Sequence, residues 1–112
     1  MNSIEEIQKI KSTTESVNRE ARLAKAVVES LIDERKELIE IKYGALRDTG
    51  MTQADAKSKA TYNEEVIKLR VKITDARNKL AQEWAKLMAH EDYVRLLISY
   101  NSTKREELKL GI

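Results

Sequence analysis

Few residues in this chain have types and spacings that could do chemistry, and His90 is the first to test. It is the single histidine, and cysteine is absent, so multi-histidine metal sites, thiolate nucleophiles and disulfides are excluded. Glu91 and Asp92 follow it, but Lys86 stands four residues before it and Leu87 three before, so neither HExxH nor the Glu-x-x-His of carboxylate-bridged metal bundles is present. Glu83, one heptad earlier on the same helical track, is placed to hydrogen-bond His90 across two turns, with a partner chain contributing. The preferred reading is a core or boundary histidine. Gly50 lies in no GxGxxG or GxxxxGK[ST] phosphate loop and reads as a turn. No catalytic, metal-binding or cofactor-binding residue is expected.

A second chemistry-bearing set is basic. Residues 57–79 carry seven Lys/Arg against three Asp/Glu: Lys57, Lys59, Lys68, Arg70, Lys72, Arg77 and Lys79. Such a run could attract nucleic-acid phosphates, and doubling it in a dimer would strengthen the attraction. On a helical wheel, however, the five from Lys68 onward cover a wide arc, no aromatic stacking platform lies among them, and no helix-turn-helix or zinc module is readable. Residues 1–40 carry nine Asp/Glu against seven Lys/Arg, while the whole chain is only +2. Solvated faces and pairing of the basic run with the acidic first helix therefore account for most of these charges. A nucleic-acid-binding accessory role, possible DNA binding included, is the alternative. Arg35 and Lys42 fall on an otherwise apolar stripe. Their stems are expected to cover it while the charges escape at the edge; binding an anionic partner is the other reading.

The elements that must hold these residues are long helices. The 112-residue chain has no proline, three glycines and 36% charged residues, which favours extended helices with solvated faces. Val66, Ile73, Leu80, Leu87 and Val94 stand seven apart, and Tyr62, Leu69, Ala76, Glu83, His90 and Leu97 form a second track, together an a/d seam. Before the turn, Ile7, Ile10, Thr14, Val17, Ala21, Ala24, Val28, Leu31, Arg35, Leu38, Lys42 and Ala45 repeat the steps of three and four. Ile32, Ile39 and Leu46 widen that stripe in its later half. Ser3 with Glu6 forms a capping box at the start. Gly50 ends the first helix, and Thr52 with Asp55 caps the next, Met51 being set to staple against Ala56.

These signals predict an all-α fold, a single domain over 1–112: helix 3–48, turn 48–52, helix 53–100 and a short tail 101–112. A kink near Thr61, capped through Glu64, is the alternative to a continuous second helix. Each helix would be near 70 Å at 1.5 Å per residue. Folding about Gly50 gives an antiparallel, coiled-coil-like hairpin pairing residue i with roughly 100 − i, which sets Ile10 by His90 and Ala24 by Ala76, with a register one turn away nearly as good. Thr103 with Glu106 would cap a last turn.

Two helices cannot bury all that the sequence offers. Trp84, Leu87, Met88 and Tyr93, then Val94, Leu97, Ile98 and Tyr100, are apolar around most of the circumference, and a helix apolar all round is normally enclosed. With Ile7, Ile10 and Val17 they form the expected oligomer and partner interface of a homodimeric four-helix bundle. The tail residues Leu108, Leu110 and Ile112 are further candidates. Residues 31–38 resemble the long first helix of the all-helical chorismate mutases, whose sites need several cations at fixed spacings. No upstream Arg or downstream Lys falls at those spacings here, so an enzyme is not expected. The start lacks the basic residues and apolar run of a signal peptide, and no apolar run is long enough to span a bilayer. A cytoplasmic regulator, adaptor or inhibitor acting by protein–protein interaction, without membrane association, is the expectation.

Overall fold

A computed structural model describes residues 4–111. It is all-α among the described residues, with α1 Ile4–Asp48, α2 Gln53–Thr61 and α3 Glu64–Lys109. Helices α1 and α3 pack against each other as a helical hairpin. The two seams are the packed faces. On α3, Val66, Leu69, Ile73 and Leu87 are buried and Ala76, Leu80, Glu83, His90, Val94 and Leu97 are half-buried. On α1, Ala21, Ala24 and Val28 are buried and the seam positions on either side are half-buried, until Ile7 and Ala45 emerge into solvent. The small Ala and Val of α1 thus lie on the same kind of face as the larger Val, Leu and Ile of α3. The Ser3 cap and Ile112 lie outside the described residues.

The turn forms by the expected chemistry. Gly50 takes φ 89°, its N–H donates to the Arg47 carbonyl at 2.9 Å, and Arg47 Nη1 donates to the Met51 carbonyl at 2.8 Å. The Thr52 hydroxyl accepts from Asp55 N–H at 3.3 Å, capping α2.

The second helix is not continuous. α2 ends at Thr61, and Tyr62, with φ −98° and ψ 16°, leaves the helix. Asn63 then starts α3: its Oδ1 accepts from Glu65 N–H at 3.0 Å and its carbonyl accepts from Ile67 N–H at 2.9 Å. Asn63, rather than Thr61, is the cap, because the Thr61 hydroxyl donates back to the Lys57 carbonyl. The break turns Tyr62 out to 69% exposure, while Ala56 and Ala60, four apart on α2, are fully buried. Tyr62 therefore leaves the seam to which the heptad assigned it.

Nor does α3 stop at residue 100. It runs through Asn101, Ser102 and Thr103 to Lys109, the Thr103 hydroxyl bonding the Ser99 carbonyl at 3.1 Å within the helix instead of capping a new one. Polar residues alone do not end a helix that lacks Pro and Gly. The stop comes at Gly111, with φ 71°.

The register is shifted from the expected one, by four residues at Thr14–His90 and by seven at Lys42–Glu65. Thr14, four residues beyond Ile10, hydrogen-bonds His90, and Lys42 meets Glu65. The reversal is centred near the start of α2 instead of on Gly50. The chain divides into two compact units, Met1–Arg22 with Gln82–Ile112, and Leu23–Ala81. The second holds most of the buried apolar residues: Ala24, Val28, Ala56, Ala60, Val66, Leu69 and Ile73. In the first, Ala21 and Leu87 are the buried ones.

Candidate functional site

In the unit formed by Met1–Arg22 with Gln82–Ile112, the apolar surface is largely uncovered. Ile10, Val17, Val94 and Leu97 are half-buried, whereas Ile7, Trp84, Met88, Tyr93, Ile98 and Tyr100 are exposed, Trp84 by 48% and Ile98 by 63%. Trp84 and Met88, one turn apart, lie on one flank of the α3 seam. Tyr93, Leu96 and Tyr100, at i, i+3 and i+7, lie on the other flank. Leu87 alone of the expected interface residues is buried within the chain. Ile4 and Leu96 extend the exposed surface, and the Lys104 ammonium sits 5.8 Å from the Tyr100 ring centroid.

His90 belongs to the same unit. Its Nε2 is 2.7 Å from the Thr14 hydroxyl, and that hydroxyl also donates to the Ile10 carbonyl at 2.9 Å. A hydroxyl has one proton, so Thr14 accepts from His90 and the imidazole carries its hydrogen on Nε2. The expected Glu83 contact is not made, since Glu83 pairs with Lys86 at 3.2 Å on its own helix. Beside His90, a cleft of about 430 Å³ is lined by Glu6, Lys9, Ile10 and Thr13 from α1 and by Tyr93 and Leu97 from α3. Ile10 and His90 do share this cleft.

The unit Leu23–Ala81 holds a feature of different chemistry. Ile32, Arg35 and Lys36 of α1 and Arg70, Ile73, Thr74 and Arg77 of α3 line a cleft of about 520 Å³. Four cations and no carboxylate surround it. Arg35 Nε is shut off from solvent and has no hydrogen-bond partner, an arrangement that costs about 1–3 kcal/mol. On the same seam one heptad later, Lys42 behaves otherwise: its Nζ reaches Glu65 Oε1 at 3.4 Å. Only Lys42 thus finds a carboxylate at the stripe's edge.

Of the seven basic-run residues, Arg70 and Arg77 come together in that cleft. Lys68 pairs with Glu64 at 3.9 Å on α3. Lys57 lines a shallower, mostly apolar cleft of about 450 Å³ with Ile39, Glu40 and Tyr43. Lys59, Lys72 and Lys79 line none of these clefts and have no ion-pair partner among the described residues. Among the described residues, no ion pair joins the acids of the first helix to this basic run as expected. The ion pair that joins α1 to α3 there, Lys42–Glu65, has the opposite sense, and Lys25–Glu29 is internal to α1. Four-residue spacing within a helix offers each charge a nearer partner than the neighbouring helix does.

Sequence reasoning did not join Arg35 and Lys36 to Arg70 and Arg77. The available signal was a charged residue on an apolar seam, which puts a cation beside whatever the opposite helix carries at that level. Among the described residues, no group of three or more His, Cys, Asp or Glu is arranged to hold a metal ion, and no helix is long and apolar enough to cross a membrane. Compared with protein-family models, curated proteins and solved structures, the chain matches none.

Proposed function

We propose that this chain is a non-catalytic, oligomeric helical protein that works by protein–protein contact, as an adaptor, regulator or inhibitor. It forms a homodimeric four-helix bundle through the apolar flanks of the unit Met1–Arg22 with Gln82–Ile112. What supports this reading is the imbalance of that unit: two buried apolar residues against Trp84, Met88, Tyr93, Leu96, Ile98 and Tyr100 at about half exposure or more. Contiguous apolar surface on both flanks of one helix is a contact surface in water.

Trp84 is the only tryptophan, so its emission reports this face alone. On raising the concentration from nanomolar to tens of micromolar, the emission shifts to the blue as light scattering moves from one chain to two. Trp84→Glu with Ile98→Glu, at positions that support no monomer core, holds the chain monomeric with unchanged helix content. A wild-type monomer at micromolar concentration would overturn the dimer. Retardation of DNA or RNA by the chain at low salt would favour the nucleic-acid alternative instead.

A further inference from the structure

We propose that the cleft lined by Arg35, Lys36, Arg70 and Arg77 is a binding site for a compact oligophosphate, a ligand carrying two or more phosphoryl groups within one small volume. This goes beyond the protein-contact reading and uses a different unit of the chain. The four cations come from two helices and converge on about 520 Å³, a volume in the range of small-molecule sites. None has an ion-pair or hydrogen-bond partner among the described residues, whereas Lys42, on the same α1 seam as Arg35, reaches Glu65. Like charges gathered without a counter-charge repel one another, and an anion between them reverses that sign.

The guanidinium groups suit phosphoryl oxygens. Arg presents a planar fork that bonds two oxygens of one group at once. Arg70 and Arg77 are one heptad apart, about 10 Å along α3, a spacing over which two or three linked phosphoryl groups give each guanidinium its own pair of oxygens. Arg35 is the most constrained member. Its Nε has no partner, so a rotation that carries the Nε–Nη edge to a bound oxygen removes an unsatisfied donor. Lys36 adds an adaptable charge, and Ile32 and Ile73 supply an apolar floor.

A nucleic-acid strand fits less well. No aromatic residue lines the cleft to stack a base, and Lys59, Lys72 and Lys79 of the basic run do not continue it along a track. The ligand is therefore a small polyanion with its charge concentrated.

The test is calorimetric titration of the full chain with inorganic tripolyphosphate at near-physiological salt, beside sulfate and citrate at matched ionic strength and a single-stranded oligonucleotide. Arg70→Gln with Arg77→Gln is the variant, since both side chains are exposed; circular dichroism and the melting temperature of the unliganded chain verify its fold. Saturable binding of one tripolyphosphate per chain is expected, with sulfate and citrate weaker and affinity falling about tenfold or more in the variant. The absence of saturable heat at millimolar tripolyphosphate overturns the proposal, as does equal binding by the variant. Displacement of tripolyphosphate by oligonucleotide at a lower phosphate concentration overturns it in favour of nucleic acid. If the variant instead loses self-association and neither form binds tripolyphosphate, the cations serve a second copy of the chain and the proposal fails.

Discussion

The Arg35 Nε–H gains nothing from the fold as it stands. The side chain's stem lies on the α1 seam, half-buried, and its Nε has lost water without gaining an acceptor. Replacing a buried group of this kind with an apolar side chain of similar length is neutral to stabilising. Arg35→Met should therefore raise the urea midpoint by the equivalent of about 1–3 kcal/mol, with an unchanged m-value. A lower midpoint would mean that the guanidinium makes interactions the structure does not contain. The same substitution is expected to weaken oligophosphate binding, so stability and ligand affinity move in opposite directions at one residue. Thr14 and His90 present the converse case. Thr14→Val leaves the His90 Nε2–H half-buried without its acceptor and should cost about 1 kcal/mol. Thr14→Val with His90→Leu removes donor and acceptor together, and its cost should fall short of the sum of the single changes. An additive double variant would show that the 2.7 Å hydrogen bond carries no coupling.

At the scale of elements, the heptads were legible because packing leaves a periodic record. Every α3 seam position from Val66 to Leu97 is buried or half-buried, as its spacing predicts. The break at Tyr62 and Asn63 was less legible, since the heptad phase carries through Tyr62 as though the helix continued. Asn is a good N-cap and a tolerable helix residue, and which role it takes depends on whether Ala56 and Ala60 gain more by turning inward than the chain loses by breaking one turn. Here both alanines reach full burial. Asn63→Ala should thus cost about 1 kcal/mol by loss of the cap to Glu65 N–H. Gly50→Ala should cost about the same for a different reason: φ 89° is strained for any residue with a Cβ, although nothing lies within 4 Å of the added carbon. If Gly50→Ala were neutral by thermal melting, the turn would have an alternative conformation available. The cationic cleft was the least legible feature. It depends on register, and a helical turn of difference decides which α3 residues face Arg35.

For the molecule as a whole, local stability should follow the uneven distribution of buried side chains. Among the described residues, seven of the buried apolar ones lie in Leu23–Ala81 and two, Ala21 and Leu87, in Met1–Arg22 with Gln82–Ile112. Opening free energy tracks such burial, because exposing few apolar contacts costs little. At nanomolar concentration, amide exchange should therefore be fastest along residues 4–20 and 90–109 and slowest along residues 56–76. Self-association changes one side of this contrast. Binding that occurs only in the folded state stabilises it by mass action, so the melting temperature of the wild-type chain should climb with protein concentration while that of Trp84→Glu with Ile98→Glu stays fixed. Residues 84–100 should gain protection over the same concentration range. If exchange slows equally throughout, coupling along the continuous α1 helix transmits the stabilisation to the better-packed unit. Slowing confined to residues 23–81 would place the self-association surface there, and the exposed Trp84, Tyr93 and Tyr100 would then be left for a different protein to cover.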